Sequence, residues 1–115
     1  MLWNKKALSW LPALLSTCWI CSAFAAEPCP SDNGQSLRFV DVFDGRPEEL
    51  AFLIPDKARK LSGSWQLGYV YNAGRFVTIR CKYADGQVSD VKLPNKINKC
   101  DYKIDAKQAL TLSCQ

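Results

Sequence analysis

Four cysteines in a stretch of about 90 residues, placed behind an export leader, constrain this chain more than any other feature. Met1 to Lys6 is a short basic head, residues 7–20 are an apolar run without a charge, and Ala23-Phe24-Ala25 has the small-x-small form that a signal peptidase cuts after. Residues 1–25 therefore read as a signal peptide, and residues 26–115 as one mature domain. The run is shorter than the ~20 residues of a membrane-spanning helix, so a retained anchor is not expected. Cys18 and Cys21 lie inside it and leave with the signal, although Leu15-Ser16-Thr17-Cys18 has the outline of a lipid-attachment box. The leader points to an oxidising periplasm, where Cys29, Cys81, Cys100 and Cys114 form a disulfide framework.

A domain of this size removes only about 60 % of its unfolded surface from water, and two bridges are the expected supplement to a small core. The whole chain has 15 Lys and Arg against 11 Asp and Glu. Without Lys5 and Lys6 the balance is about +2, which implies neither a nucleic-acid nor a membrane-surface role.

Residues 27–35 carry two prolines and small polar groups and read as an extended arm pinned at Cys29. In residues 37–43, Leu37, Phe39 and Phe43 alternate with Arg38 and Val42, a strand whose apolar face Asp41 interrupts. Asp44 to Glu49 then reads as a turn feeding a short helix, with Pro47 at its first position and two acids at its positive end; Pro55 stops it. Residues 56–64 look like a mobile basic connection. Trp65, Leu67, Tyr69 and Tyr71 alternate as a strand, and Asn72-Ala73-Gly74 reads as a hairpin turn into residues 76–83. There the alternation is cleanest, with Val77, Ile79, Cys81 and Tyr83 on one face. Residues 88–93, 100–104 and 110–114 complete the pattern. The expected fold is α+β, mainly β: a small antiparallel meander sheet with one short helix and two disulfides.

If the last turn centres on Ala106 and Lys107, Cys100 stands opposite Ser113, one residue from Cys114, and a bridge between the two is easy. Cys29 is then left for Cys81. Four cysteines allow three pairings in all.

Chemistry is sparse. The chain has no histidine, the commonest general base and metal ligand. Cysteines held in bridges supply neither a nucleophile nor zinc ligands, and no glycine cluster suits a phosphate. No enzyme, cofactor or metal site is expected. Recognition remains. Trp65, Tyr69, Tyr71 and Phe76 supply aromatic area, of which Trp65 and Tyr69 are expected in the core, while Asn72 and Arg75 stand at the turn. The loop carrying Asp44, Arg46, Glu48 and Glu49 is charged, limited by Pro47, and suited to entering a partner's cleft. The plainer alternative is a helix start with Asp44 as its cap.

The segment Val42-Phe43-Asp44-Gly45-Arg46-Pro47-Glu48-Glu49-Leu50-Ala51, with Pro55-Asp56, Trp65-Gln66-Leu67, Cys81-Lys82-Tyr83, Leu93-Pro94 and Cys100, resembles a family of small exported, disulfide-containing proteobacterial proteins. Within it the chain is similar to immunity proteins of type VI secretion clusters, including those that oppose effectors with an L,D-transpeptidase-like domain. The resemblance spans nearly all of the mature chain. It implies a periplasmic protein that binds a peptidoglycan-attacking effector and blocks it without chemistry of its own. An inhibitor of host lysozyme and another periplasmic binding module are the alternatives.

Overall fold

A computed structural model describes residues 26–30 and 34–115; the signal peptide read from residues 1–25 lies outside them. The elements in chain order are β1 (Leu37–Asp44), a 3-10 turn (Pro47–Glu49), β2 (Lys57–Ala58), β3 (Ser62–Gln66), α1 (Gly68–Asn72), β4 (Val77–Tyr83), β5 (Val88–Leu93), β6 (Lys99–Ile104) and β7 (Leu110–Cys114). The mainly β, antiparallel class with one short α-helix is as expected. The strands divide between two sheets, however, one ordered β1-β4-β5 and the other β2-β3-β6-β7. Hairpins β4–β5 and β6–β7 are local, whereas β1 reaches across to β4 and β3 to β6.

The β4 pattern holds residue for residue: Val77, Ile79, Cys81 and Tyr83 are all buried. The β1 pattern does not. The pairing with β4 shifts between Leu37 and Phe39, and a residue inserted into a strand turns every later side chain to the opposite face. Leu37 and Val42 therefore face the core, and Phe39 is 67 % exposed. Phe43 points away from that core and is buried by other means, with the Phe52 ring 4.6 Å away and the Arg80 guanidinium 5.1 Å from its centroid.

The strand expected from Trp65 to Tyr71 breaks after Gln66 into α1. The N–H of Arg75 donates to the carbonyl of Val70, and that of Gly74 to Tyr71, with Gly74 at φ 78. This pair of bonds is the Schellman closure of a helix, so the glycine that suggested a hairpin ends α1 instead. The change of period exposes Tyr69 (58 %), against its expected place in the core, and buries Val70. Trp65 is buried as expected. The short helix expected after Pro47 is only the 3-10 turn, closed by Leu50 in the left-handed region.

Residues 56–64, expected to be a mobile connection, are ordered by pairing. Lys57 lies opposite Ser64 and Ala58 opposite Gly63, and the Asp56 carboxylate accepts from the Gln66 N–H at 2.6 Å. Both disulfides form in the sequence-derived pairing, Cys29–Cys81 and Cys100–Cys114. Cys100 stands opposite Cys114 itself, one residue from the expected register. The β6–β7 loop has three residues and ends with Gln108 at φ 66, and the Asp105 carboxylate accepts from the N–H groups of Lys107 and Ala109.

Residues 51–55 join the two sheets. The Leu53 N–H donates to Val42 of β1 at 2.8 Å, and its carbonyl accepts the Trp65 indole N–H of β3 at 3.0 Å. No helix among the described residues is long and apolar enough to cross a membrane, which says nothing of strands.

Candidate partner-binding surface

The loop after β1 is tied at both ends. The Asp44 N–H donates to Ala51, the Gly45 N–H to Phe76, and the Thr78 hydroxyl to the Gly45 carbonyl. Gly45 sits at φ 91, where an L side chain is strained, and a Cβ there would come 2.5 Å from Glu49 Oε2 and 2.7 Å from Arg75 Nη2. The glycine thus makes room for an ion pair.

Arg75 is the centre of that pair. Its Nε donates to Asp44 Oδ1, and its Nη2 to Glu49 Oε2 at 2.9 Å and to the Asp44 carbonyl at 3.3 Å. Hydrogen bonds that Arg75 donates to Asp44 and then to Glu49 push its pKa further up. The Schellman closure of α1 sets the Arg75 backbone, so a helix end and a strand end 31 residues apart are joined through one guanidinium. Arg46 stands 3.8 Å from Glu49 and completes the cluster.

Asp44, Arg46, Glu49 and Arg75 are therefore brought together as one group. Glu48 is exposed beside them. Asn72 is engaged elsewhere, accepting from Lys96 Nζ at 2.9 Å. Asp44 does not cap the turn at Pro47; the residue in that position is Arg46, and no side chain caps it. The plainer alternative for Asp44 is thereby corrected.

The sequence reading missed what adjoins this cluster. Leu50 (70 % exposed), Phe52 (55 %) and Ile54 (84 %) stand outward in a row, followed across a groove by Phe39. The groove encloses about 350 Å³, with Trp65, Tyr102 and Ile104 on its far side. A contiguous exposed apolar surface beside a polar cluster has the composition of a protein-protein contact. The signal was present in residues 50–54: Leu50, Phe52 and Ile54 alternate with Ala51 and Leu53, a period of two that fits an extended segment better than a helix. Leu50 has a left-handed backbone (φ 58) with its side chain in solvent. That conformation costs a non-glycine residue about 1 kcal/mol or more, and such strain concentrates at functional positions.

A family model described as the type VI secretion system Tli immunity protein matches residues 31–115. The chain belongs to that family. The match covers every described strand, the Arg75 cluster and the apolar row, so membership of the Tli immunity family extends to the whole surface described above. It also carries the general role of an immunity protein in type VI secretion, which is to bind a cognate effector. Comparison with curated proteins and with solved structures returned no match.

Proposed function

We propose that this Tli immunity protein is exported to the periplasm, where it binds a peptidoglycan-attacking type VI effector and occludes its active cleft, protecting the producing cell. The family match over residues 31–115 carries the reading. The leader-like residues 1–25 and the two disulfides support the compartment. The binding surface is the Asp44 to Glu49 loop with Arg75, extended through Leu50, Phe52 and Ile54. Arg75 braces the loop from behind, Arg46 and Glu48 present charge, and the apolar row supplies the area from which hot spots are made. Asn72 lies at the margin. The protein acts by occlusion, and the cysteine nucleophile of an L,D-transpeptidase-like effector is the group to be covered.

The test uses the cognate type VI effector of the producing cell. Truncating Ile54 to alanine is expected to weaken binding by about 2 kcal/mol, roughly thirtyfold, with an unchanged melting temperature, and Phe52→Ala to weaken it similarly but with a lower melting temperature, because its ring covers Phe43. Wild-type affinity in both variants and in Arg46→Ala would move the surface elsewhere. In cells producing that effector with its export signal, a chain lacking residues 1–25 is expected to give no protection. Full protection by the truncated chain would overturn the periplasmic assignment.

A further inference from the structure

The cations of the described residues fall into two groups. Arg46, Arg75, Arg80, Lys82 and Lys99 each lie within ion-pair distance of an acid. Lys92 rests on the Phe76 ring, Lys96 on Asn72 and Arg38 on Gln108. Lys57, Arg59, Lys60, Lys103 and Lys107 have no such partner among the described residues, and three of them, Lys57, Arg59 and Lys103, converge on the outer face of the four-stranded sheet.

Strand register places them there. Lys57 of β2 lies opposite Ser64 of β3, Ser64 opposite Asp101 of β6, and Asp101 opposite Ser113 of β7, a row on one face across all four strands. Two residues along in either direction, and so on the same face, Ser62 lies opposite Lys103 and Gln66 opposite Lys99. The floor is therefore short serine side chains and the walls are long cations, enclosing a shallow groove of about 390 Å³. Its one acid, Asp101, is 3.4 Å from Lys99.

Four cations against one acid on this face leave nine cations against ten acids over the rest of residues 26–115, so the cationic excess of the mature chain is concentrated here. Lysine on an edge strand is a common guard against edge pairing, and that would account for Lys57 on β2. It does not account for Lys99 and Lys103, which lie on β6 between two other strands. Tyr102 borders both this groove and the apolar one, so the two are neighbours.

We propose that this basic sheet face docks an acidic surface segment of the effector, with Lys57, Arg59 and Lys103 as the uncommitted charges that meet its carboxylates. The inference rests on the effector-binding reading above and names the partner's chemistry on a second contact. Charges of this kind, exposed and within a Debye length of one another, act mainly on the rate of association and its salt dependence.

The experiment measures association of the disulfide-bonded protein with that cognate effector at low and high salt. Lys57→Glu and Lys103→Glu are each expected to slow association by about threefold to tenfold and to flatten its salt dependence. Lys107→Glu makes the same charge change on the β6–β7 turn and is expected to alter the rate less than about twofold. Melting temperatures identify any variant that is misfolded, and Lys57→Gln and Lys103→Gln, which remove charge without reversing it, then stand in for it. Wild-type rate and salt dependence in both site variants would overturn the proposal while leaving the effector reading intact. Loss of retention on phosphatidylglycerol vesicles or on purified peptidoglycan, with effector binding unchanged, would also overturn it in favour of an envelope ligand. Absence of any binding by the wild-type protein would remove both readings together.

Discussion

Around Arg75 and on the outer face of the four-stranded sheet the protein concentrates charge in opposite ways. At Arg75 each charge is answered within the molecule: Asp44 and Glu49 share the guanidinium, and Arg46 stands against Glu49. On the sheet face Lys57, Arg59 and Lys103 stand without acids. The difference teaches that a charged segment picked out from sequence can be charged for the sake of the fold. The Asp44 to Glu49 loop uses Asp44 and Glu49 to hold a shape against Arg75, and presents to solvent Arg46, Glu48 and the apolar row that follows. On the sheet face only Lys99 is answered, by Asp101, and Lys57, Arg59 and Lys103 are left without an acid among the described residues.

Both regions stand on one frame, so breaking the frame gives the largest effect. Removing Cys29–Cys81, whose sequence separation is 52, is expected to cost about 4 kcal/mol in the chain-entropy account, and removing Cys100–Cys114, with separation 14, about 3 kcal/mol. Denaturant midpoints of the paired Cys→Ser variants measure this. Equal losses would mean that the strain or packing of each bridge outweighs loop length. Gly45→Ala comes next, at about 2 kcal/mol, because the methyl group meets both a left-handed backbone and the ion pair. A change below about 0.5 kcal/mol would show that the loop relaxes freely.

Arg75→Ala tests the comparison directly. These groups are partly exposed, so solvent screening keeps the expected loss of stability small and makes it diminish in high salt, while Lys103→Ala is expected to lower stability less. Equal stability effects would erase the distinction between structural and available charge. Leu50→Gly sharpens it from the other side. Relief of the left-handed strain offsets the greater freedom of glycine in the unfolded chain, so stability should change by less than about 1 kcal/mol, while effector affinity falls.

The smallest effect belongs to the Arg80–Asp90 pair, outside both regions. The Arg80 guanidinium, hydrogen-bonded to Asp90, holds that carboxyl below its ordinary range. A carboxyl with a depressed folded pKa stabilises the fold above its unfolded value, and that contribution is lost as pH falls through the folded one. For an exposed pair it amounts to a few tenths of a kcal/mol. Asp90→Asn should remove that part of the acid sensitivity, and an unchanged pH profile would show that the pair contributes nothing measurable.

How much could be read in advance varied along the chain with the range of the forces involved. In β4 the alternation was sufficient to place the buried face, and in the β6–β7 hairpin it gave the faces but not the register, which depends on the geometry of the turn. In β1 the same reasoning put Phe39 inside, since nothing local marks the shift of pairing against β4. Residues 65–74 misled for a different reason. Five residues are too few to separate a period of 2 from one of 3.6, and Asn72-Ala73-Gly74 suits a hairpin turn as well as a helix end. Of the candidate site, the acids and arginines of the loop and Arg75 were legible as charged and exposed, but their mutual engagement was not. The apolar row was hidden by reading residues 50–53 as helix.

The sequence by itself determined the antiparallel β class, the inward faces of β4, β6 and β7, a four-cysteine framework and the motifs of the family. All of these follow from alternation over a few residues, from cysteine count and from local turn chemistry. Tertiary structure alone decided that the strands divide into two sheets, that Gly74 closes a helix, that Arg75 meets Asp44, and that three cations collect unanswered on one sheet face. Those outcomes depend on which distant segments become neighbours. Residues 31 positions apart, as Asp44 and Arg75 are, carry no local signal of each other, and only the joint packing of β1, α1 and β4 brings them together.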